Sequence, residues 1–315
     1  MIESYIRYIG TQRRYSPLTL RNYRRDIDNF LEYMGLAPDE FDPHDIAPAD
    51  IAGWIESLSA RRLAPSSINR TVASLRSMFS YFMREGITDT NPFRHIQQLK
   101  TPKRLPSYME EKQSSPMLDE LERRVAEEDF EKRRDALIVL LFYTSGIRLA
   151  ELIGIDTTDF AGDLSRLAVR GKGDRMRVIP IIECTRRALE TYLRRNREEQ
   201  LAPSQGNALF FTRRSPRIPR ITVHRTVTAI LGSFGVEGKR SPHVLRHTFA
   251  TQTLGGGGDI RSIQELLGHR SLNSTQIYTH TDISGLKRIY AAAHPRSCRR
   301  LGKGEEKRPD GNDKP

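Results

Sequence analysis

The sequence predicts a mainly α-helical protein of two domains, the second of which also contains a small β-sheet. Apolar residues recur at helical spacing through the first hundred positions, and a stretch rich in Pro, Lys, Ser and Glu follows them. Farther along, two short runs typical of strands flank a turn that contains two glycines. A length of 315 residues suits two domains of ordinary size.

Four amphipathic helices are predicted within residues 1–100, which we interpret as an N-terminal domain. Their apolar stripes are Ile2, Tyr5, Ile6 and Ile9; Leu20, Tyr23, Ile27, Phe30, Leu31 and Met34; Ile51, Trp54, Ile55 and Leu58; and Ile68, Val72, Leu75, Phe79 and Phe82. The second helix begins at a Ser-Pro pair, residues 16–17, and ends at Gly35. The stripes predict a core. Arginines between them, such as Arg70 and Arg76, are candidates for phosphate contacts, although a solvated face is the favoured interpretation of each.

Residues 101–115 lack apolar periodicity and are predicted to form a linker to a second domain over residues 116–295. Within that domain, residues 135–142 are apolar nearly all round, which predicts a buried central helix. Residues 296–315 are polar and rich in Gly, Pro and Lys, so they predict a disordered tail.

The small sheet is predicted as a β-hairpin. Its strands are residues 164–170 and 175–181, and the glycines in residues 171–174 allow positive φ in the turn. Helices are predicted again over residues 184–200 and 222–233.

The charge distribution is uneven along the chain, whose formal net charge is +12. Residues 201–315 hold 19 Lys and Arg against 8 Asp and Glu, and an excess of this size is typical of proteins that bind polyanions. Charge alone leaves nucleic-acid binding and an ordinary basic surface equally open. The longest apolar run, residues 136–143, is far shorter than the roughly 20 residues of a membrane span. Neither a membrane partner nor a secretory signal is predicted.

The sequence predicts neither a metal nor a cofactor. His243 and His247 lie four residues apart, but Val244 stands where a zincin needs glutamate. The turn around Lys172 lacks the upstream glycine of a phosphate-binding loop, and the glycine-rich segment 255–258 does not complete a dinucleotide-binding pattern. The two cysteines are far apart, which argues against a disulfide scaffold or a zinc ribbon and fits a reducing cytosol.

Several residues of the second half together suggest chemistry on a phosphodiester. Ser241 is predicted to cap a helix whose first turn carries His243 and Arg246 on one face, and helix N-termini attract phosphates. Arg148 offers a second guanidinium, and two such groups suit a phosphate whose charge grows as it becomes five-coordinate. Lys172, at the hairpin tip, can donate a proton to a leaving oxygen. Tyr278 is a candidate nucleophile that needs nearby cations, because the pKa of tyrosine is normally about 10.

These residues resemble the signature of the tyrosine recombinase (phage integrase) family, which has the order Arg, Lys, His-x-x-Arg, His, Tyr. The matching positions are Arg148, Lys172, His243, Arg246, His269 and Tyr278. The flanking segments His-Val-Leu-Arg-His-Thr-Phe-Ala-Thr, Leu-Leu-Gly-His and Thr-Gln-Ile-Tyr-Thr-His are also similar. Within the family the chain is most similar to the Xer type of site-specific recombinase (XerC/XerD), because it begins on the core-binding helices.

The resemblance implies a four-helix core-binding (SAM-like) domain and a mixed α/β, mostly helical catalytic domain. It implies that Tyr278 attacks the scissile phosphate, forms a 3′-phosphotyrosyl link and releases a 5′-hydroxyl, which Lys172 protonates. Because the covalent ester stores the energy of the broken bond, neither ATP nor a metal is needed.

The resemblance also implies roles for the remaining site residues. Arg148 and Arg246 would hold the non-bridging oxygens of the phosphate. His243 and His269 would assist through hydrogen bonds or proton transfer. Glu151, one helical turn after Arg148, would orient neighbouring groups of the active site.

The partners implied are a double-stranded DNA recombination site and a homo- or hetero-tetramer on that DNA. Each subunit would pass a helix of about residues 283–293 to its neighbour. A second recombinase and an FtsK-like DNA translocase are further implied partners, in chromosome dimer resolution on the nucleoid of a bacterial cytoplasm. Three alternatives remain open: an integrase or transposase of a mobile element, a type IB topoisomerase, and a DNA-binding accessory protein.

One departure from the family pattern concerns the helix that carries His243 and Arg246. Four glycines, residues 255–258, stand where family members usually have one. Glycine costs roughly 1 kcal/mol per helical position relative to alanine, so the end of this helix is predicted to fray early.

Overall fold

A computed structural model describes residues 1–101, 108–171, 176–257 and 259–268. The chain divides into two compact units, Met1–Arg104 and Leu105–Pro315. Across these residues the fold is mainly helical with one small sheet, which confirms the predicted fold class. Among the described helices, none is both long and apolar enough to cross a membrane.

The N-terminal unit contains the four predicted helices. They are α1 (Ile2–Thr11), α2 (Pro17–Met34), α3 (Pro48–Ala60) and α4 (Pro65–Arg84). The hydroxyl of Ser16 accepts a hydrogen bond from the Thr19 amide at 3.2 Å and so caps α2, and Gly35 ends the helix in the left-handed region. The aromatic side chains of the stripes meet in the core, where Phe30 packs edge-on against Trp54.

Two arginines of this unit make structural contacts that the sequence does not reveal. Arg70 is exposed, as predicted, whereas Arg76 is half-buried. Arg70 forms an ion pair with Asp26, whose side chain is only 2% exposed. Arg76 donates hydrogen bonds to the carbonyl oxygens of Phe93 and Ile96, both at 2.8 Å. Both arginines therefore hold parts of the N-terminal unit together.

The second unit is built around one buried helix. Its described elements are α5 (Glu111–Arg124), α6 (Phe130–Ser145), α7 (Leu149–Gly154), β1 (Arg166–Arg170), β2 (Met176–Pro180), α8 (Glu183–Glu198), α9 (Arg220–Ser233), α10 (Pro242–Gly255) and α11 (Ile260–Leu267). Every residue from 136 to 145 on α6 is buried, as predicted, and α5, α8, α9 and α10 all pack against this helix.

The predicted linker is too long at its C-terminal end, because α5 begins at Glu111 and residues 111–115 are helical. Pro116 lies inside α5 and removes one backbone hydrogen bond, a loss of about 3 kcal/mol in a helix interior. Met117 and Leu121 of the same helix are completely buried, and each contributes about 2 kcal/mol of hydrophobic stabilisation. Burial against α6 thus outweighs the local signal of the proline.

The predicted hairpin is present, with slightly shorter strands. β1 and β2 are antiparallel, and Val169 pairs with Arg177. Residues 172–175 of the turn lie outside the described residues, as do the predicted C-terminal helix 283–293 and the predicted tail 296–315.

Candidate active site

Four of the seven predicted site residues lie in the described part of the chain. These are Arg148, Glu151, His243 and Arg246, all of which belong to the second unit. Lys172, His269 and Tyr278 lie outside the described residues.

The turn between α6 and α7 positions Arg148. α6 ends at Gly146, which has a φ of +59°. A Cβ atom at Gly146 would lie 2.4 Å from Cδ1 of Phe249 on α10, so both the backbone conformation and the close approach of α10 require glycine here. Two residues later, Arg148 occupies the N-cap position of α7, and its backbone amide donates to Oε2 of Glu151 at 2.9 Å.

Glu151 lies between two arginines. Its Oε1 accepts hydrogen bonds from Nη1 of Arg148 at 3.0 Å and from Nη1 of Arg177 at 2.7 Å, while Nη2 of Arg177 donates to Oε2 at 2.8 Å. Burial of the carboxylate disfavours its charge, but the hydrogen bonds from Arg177 and from the Arg148 amide outweigh this effect and lower the pKa of Glu151 to about 2. The carboxylate is therefore ionised at every physiological pH.

Arg177, on β2, is a residue of this cluster that the sequence analysis missed. Its side chain is 8% exposed, and its Nε donates to the carbonyl oxygen of Leu266 at 2.8 Å. A signal was available in the strand pattern. Arg177 and Ile179 alternate with Met176 and Val178, so a charged residue falls on the buried face of the strand, where it needs an anionic or carbonyl partner.

Arg246 lies one turn into α10 and is almost completely buried. Its two terminal nitrogens donate to the carbonyl oxygens of Gly146 and Leu267. Burial lowers the pKa of Arg246 to about 10, and the nearby positive charges of Arg148 and Arg177 act in the same direction. The guanidinium is still charged at neutral pH, and it lies in a cluster that already carries two other cations.

The C-terminus of α11 brings the three arginines together. Arg177, Arg246 and Arg148 donate to three consecutive carbonyl oxygens, those of Leu266, Leu267 and Gly268 in that order. The last carbonyls of a helix have no partner within the helix and carry the negative end of its dipole, which explains why cations gather there. The next residue in the sequence is the predicted site residue His269.

His243 lies in the first turn of α10, and its side chain is partly exposed to solvent. Partial burial, followed by the positive charges of Arg246, Lys239 and their neighbours, lowers the pKa of its imidazole. The neutral form is therefore favoured near pH 7. In that form one ring nitrogen can accept a proton while the other donates a hydrogen bond.

The predicted capping role of Ser241 is wrong in one respect. Ser241 does occupy the N-cap position of α10, and Pro242 does begin the helix. The serine hydroxyl, however, accepts no hydrogen bond from the helix, and Oγ is buried without a hydrogen-bond partner in the described part of the chain. The sequence indicates a capping residue, but the direction of its hydroxyl depends on packing.

The described residues do not form a metal centre. Across residues 1–101, 108–171, 176–257 and 259–268, no group of three or more His, Cys, Asp or Glu side chains could hold a metal ion. His247, the partner of His243 in the rejected zinc pattern, lies edge-on against the ring of Tyr108, with the ring centroids 6.1 Å apart.

Comparison with known proteins identifies the family of the chain. The Phage integrase family matches residues 107–284, and the Phage integrase N-terminal SAM-like domain matches residues 2–86. The chain therefore belongs to the phage integrase family, the tyrosine recombinases, whose reaction is the breakage and rejoining of DNA strands in site-specific recombination.

Among individual proteins, the chain is similar to recombinases of the Xer group. The tyrosine recombinase XerC of Thermodesulfovibrio yellowstonii is 34% identical over 299 residues, which cover 94% of this chain and 96% of the relative. The tyrosine recombinase XerD of Listeria monocytogenes is 32% identical and covers 94% of this chain and 99% of its own length. The crystal structure of the XerH recombinase in a post-cleavage complex with a palindromic difH substrate shares the fold. Its TM-score is 0.66 at 22% identity, with 89% of this chain and 81% of that chain covered.

Proposed function

We propose that the chain cleaves one strand of a double-stranded DNA recombination site with Tyr278 as the nucleophile. Oη of Tyr278 attacks the phosphorus, the bond from phosphorus to the 5′ oxygen breaks, and a 3′-phosphotyrosyl ester forms. The observation that carries this proposal is the convergence of Arg148 and Arg246 on adjacent carbonyl oxygens at the end of α11, ten residues before Tyr278 in the sequence.

The two arginines stabilise the transition state in this mechanism. A phosphate under attack gains negative charge on its non-bridging oxygens, and fixed cations lower the energy of that state more than that of the ground state. Arg246 is buried and Arg148 is about one-third exposed, so the pair can present charge at the edge of the site with little rearrangement.

Proton transfer is assigned to the remaining site residues. Lys172 protonates the 5′ oxygen as it leaves, and His243 and His269 assist through hydrogen bonds or proton transfer at the phosphate and the phenol. The lowered pKa of His243 supports its part, because a neutral imidazole can accept a proton near pH 7. Rejoining is the reverse reaction with a 5′-hydroxyl of the partner strand, so the ester supplies the energy and no ATP or metal takes part.

The likeness to XerC and XerD supports a biological role in chromosome dimer resolution. In this role four subunits assemble as a tetramer on DNA, either four copies of this chain or two copies together with two of a second recombinase. Each subunit passes a helix over residues 283–293 to its neighbour. An FtsK-like translocase acts with the tetramer on the nucleoid in the cytoplasm. We assign residues 1–100 to core-site binding, residues 116–295 to catalysis and residues 296–315 to a polar tail.

Covalent trapping tests the nucleophile and finds the target. The protein is incubated with fragmented host DNA and the mixture is denatured. The DNA that stays covalently attached to the protein is then sequenced. Tyr278→Phe should bind the recovered site with unchanged affinity and form no adduct, because it lacks only the attacking oxygen. Tyr108→Phe, which alters an exposed tyrosine of the second unit, should form adduct at the wild-type level.

Persistence of the adduct in Tyr278→Phe would refute the assignment of the nucleophile. A second assay then separates a recombinase from a topoisomerase. Two copies of the recovered site on separate DNA molecules should give recombinant product, whereas relaxation of supercoils without recombinant product would indicate resealing of the same strand.

A further inference from the structure

Arg177 has no role in the proposed mechanism, yet its side chain donates three hydrogen bonds within the arginine cluster. Both of its terminal nitrogens donate to Glu151, and its Nε donates to the carbonyl oxygen of Leu266. One buried guanidinium therefore joins three elements: β2, which carries it, α7, which carries Glu151, and the last turn of α11.

The first consequence concerns the direction in which Arg148 points. Arg148 shares Oε1 of Glu151 with Arg177, and its other terminal nitrogen donates to the carbonyl oxygen of Gly268 at 2.7 Å. Without Arg177, both oxygens of the buried carboxylate would be open to Arg148, and a bidentate pair is the strongest arrangement that an arginine and a carboxylate form. Arg148 would then be drawn toward Glu151 and away from the phosphate.

The second consequence concerns charge. Arg148, Arg177 and Arg246 surround the single carboxylate of Glu151. Because Arg177 takes both oxygens of Glu151 at 2.7 and 2.8 Å, it neutralises most of that negative charge. The charges of Arg148 and Arg246 are then left to act on the scissile phosphate.

The third consequence concerns the last turn of α11. Arg177 fixes the carbonyl of Leu266 through a hydrogen bond. Gly268 lies close to two of the arginines, because a Cβ atom at this position would be 3.3 Å from Nη1 of Arg177 and 3.2 Å from Nη1 of Arg148. Gly268 has a φ of +63°, which glycine adopts without strain. The arginines and this glycine together fix the point from which the chain continues to residue 269.

We propose that Arg177 is a positioning residue of the cleavage reaction, which holds Glu151 and the end of α11 so that Arg148 faces the scissile phosphate. This inference rests on the proposed function, because it needs a phosphate at Arg148. Arg177 touches neither the DNA nor the nucleophile in this account, and it acts through Glu151 and Leu266.

The test uses the full-length chain and a nicked DNA substrate containing the site recovered by trapping. Arg177→Met removes the charge and the hydrogen bonds while keeping most of the apolar stem, and Arg177→Lys keeps the charge. Arg166→Met is the matched control, since it removes a half-buried guanidinium from the neighbouring strand β1. The rate of adduct formation in a single turnover, the Kd for DNA and the pH profile of the rate are measured for each variant.

Arg177→Met should form adduct about 10- to 100-fold more slowly, the range typical when a partner that orients an active-site ligand is removed. Its Kd for DNA should stay within about threefold of wild type, because the residue is buried and supplies no phosphate contact. Arg177→Lys should recover most of the rate, and Arg166→Met should match wild type.

The pH profile distinguishes positioning from a general loss of structure. The charged groups that face Glu151 in the described residues are Arg148 on its own helix, Arg177 on β2 and Arg246 on α10. Removal of Arg177 takes away the largest favourable interaction of the carboxylate, so the pKa of Glu151 should rise. The cleavage rate of Arg177→Met should therefore fall with acid at a higher pH than that of wild type.

Two results would overturn the inference. One is an Arg177→Met variant whose rate and pH profile equal those of Arg166→Met, and the other is an equal loss of DNA affinity and cleavage rate. If Arg177→Met does not fold, judged by circular dichroism, then Arg177→Lys decides, and wild-type cleavage by that variant in an unchanged pH profile overturns the proposal. Failure of the proposed function is separate, because the wild-type chain itself would then form no adduct through Tyr278.

Discussion

Both units of the molecule bury a carboxylate against arginine, but they do so with different charge balances. In the N-terminal unit, Asp26 pairs with Arg70 and accepts further hydrogen bonds from hydroxyl groups, including that of Ser74 at 3.1 Å. One anion therefore meets one cation. In the second unit, Glu151 has three arginines around it. A neutral pair holds a fold together, whereas an unbalanced excess of buried cations marks a place where an anion is expected.

The largest expected effect comes from removing the unbalanced charge. Arg148→Ala should slow cleavage of the nicked substrate by about 10³-fold, because a fixed donor to the developing charge is lost. Its affinity for DNA should change only a few fold.

Arg70→Ala should show the opposite pattern. It leaves Asp26 buried without its cation, so it should lower the free energy of unfolding by about 2 kcal/mol and leave the cleavage rate intact.

These two variants are compared by single-turnover cleavage and by urea unfolding. Equal losses of DNA affinity and cleavage rate in Arg148→Ala would contradict a role in the transition state. A slow but stable Arg70→Ala protein would show that the balanced pair also serves the reaction.

A second comparison uses the glycines that end one helix in each unit. Gly35 after α2 and Gly146 after α6 both have positive φ, +69° and +59°. Nothing lies within 4 Å of a Cβ atom at Gly35, whereas one at Gly146 would lie 2.4 Å from Phe249 and 2.9 Å from Leu267. Gly35→Ala should therefore cost about 1 kcal/mol, from backbone strain alone. Gly146→Ala should cost about 3 kcal/mol, because overpacking is added.

Thermal and urea unfolding measure both losses, and cleavage assays add a second readout for Gly146→Ala. Displacement of Phe249 and Leu267 should move the carbonyl acceptors of Arg246, so this variant should also cleave more slowly. Equal stability losses at the two glycines would show that the helix contact at Gly146 relaxes without cost.

The last prediction is a dependence of stability on pH. Because the pKa of Glu151 is lowered to about 2 in the folded chain, the ionised carboxylate stabilises the fold fully above its unfolded pKa of about 4.5. That contribution is lost as the pH falls through about 2. The difference in unfolding free energy between wild type and Glu151→Gln should thus be largest above pH 4.5 and shrink toward pH 2. A difference that stays constant over this range would mean that the charge of Glu151 contributes nothing.

The parts of the fold that the sequence predicts are those encoded by local patterns. The helices α1 to α4 and the buried helix α6 each show their apolar spacing within one segment, and the hairpin shows its turn between two strands. The start of α5 was missed because its polar residues and Pro116 indicate a loop, while its stability comes from packing against α6. Packing against α6 therefore determines where α5 begins.

Residues of the candidate site were also missed where their contacts are distant in sequence. Arg148, His243 and Arg246 were found because the family order names them, and Glu151 because the resemblance gives it a role one helical turn after Arg148. The structure places Arg148, Glu151 and Arg246 in one cluster. Arg177 was missed because its partners are far away in sequence, with Leu266 lying 89 residues later. The same reason explains Arg70, whose partner Asp26 lies 44 residues earlier. An arginine in a sequence does not reveal which distant oxygen it will meet.

The three consecutive carbonyl oxygens at the end of α11 have a consequence for the step in which DNA arrives. The guanidinium groups that meet them have already exchanged solvent for neutral oxygen acceptors of the backbone. In the proposed mechanism, the scissile phosphate replaces the neutral acceptors of Arg148 and Arg246 with charged oxygens, and hydrogen bonds to a charged acceptor are roughly twice as strong as those to a neutral one. Until DNA binds, the carbonyl oxygens at the end of α11 accept the hydrogen bonds of these guanidinium groups, so the cations are not left without acceptors.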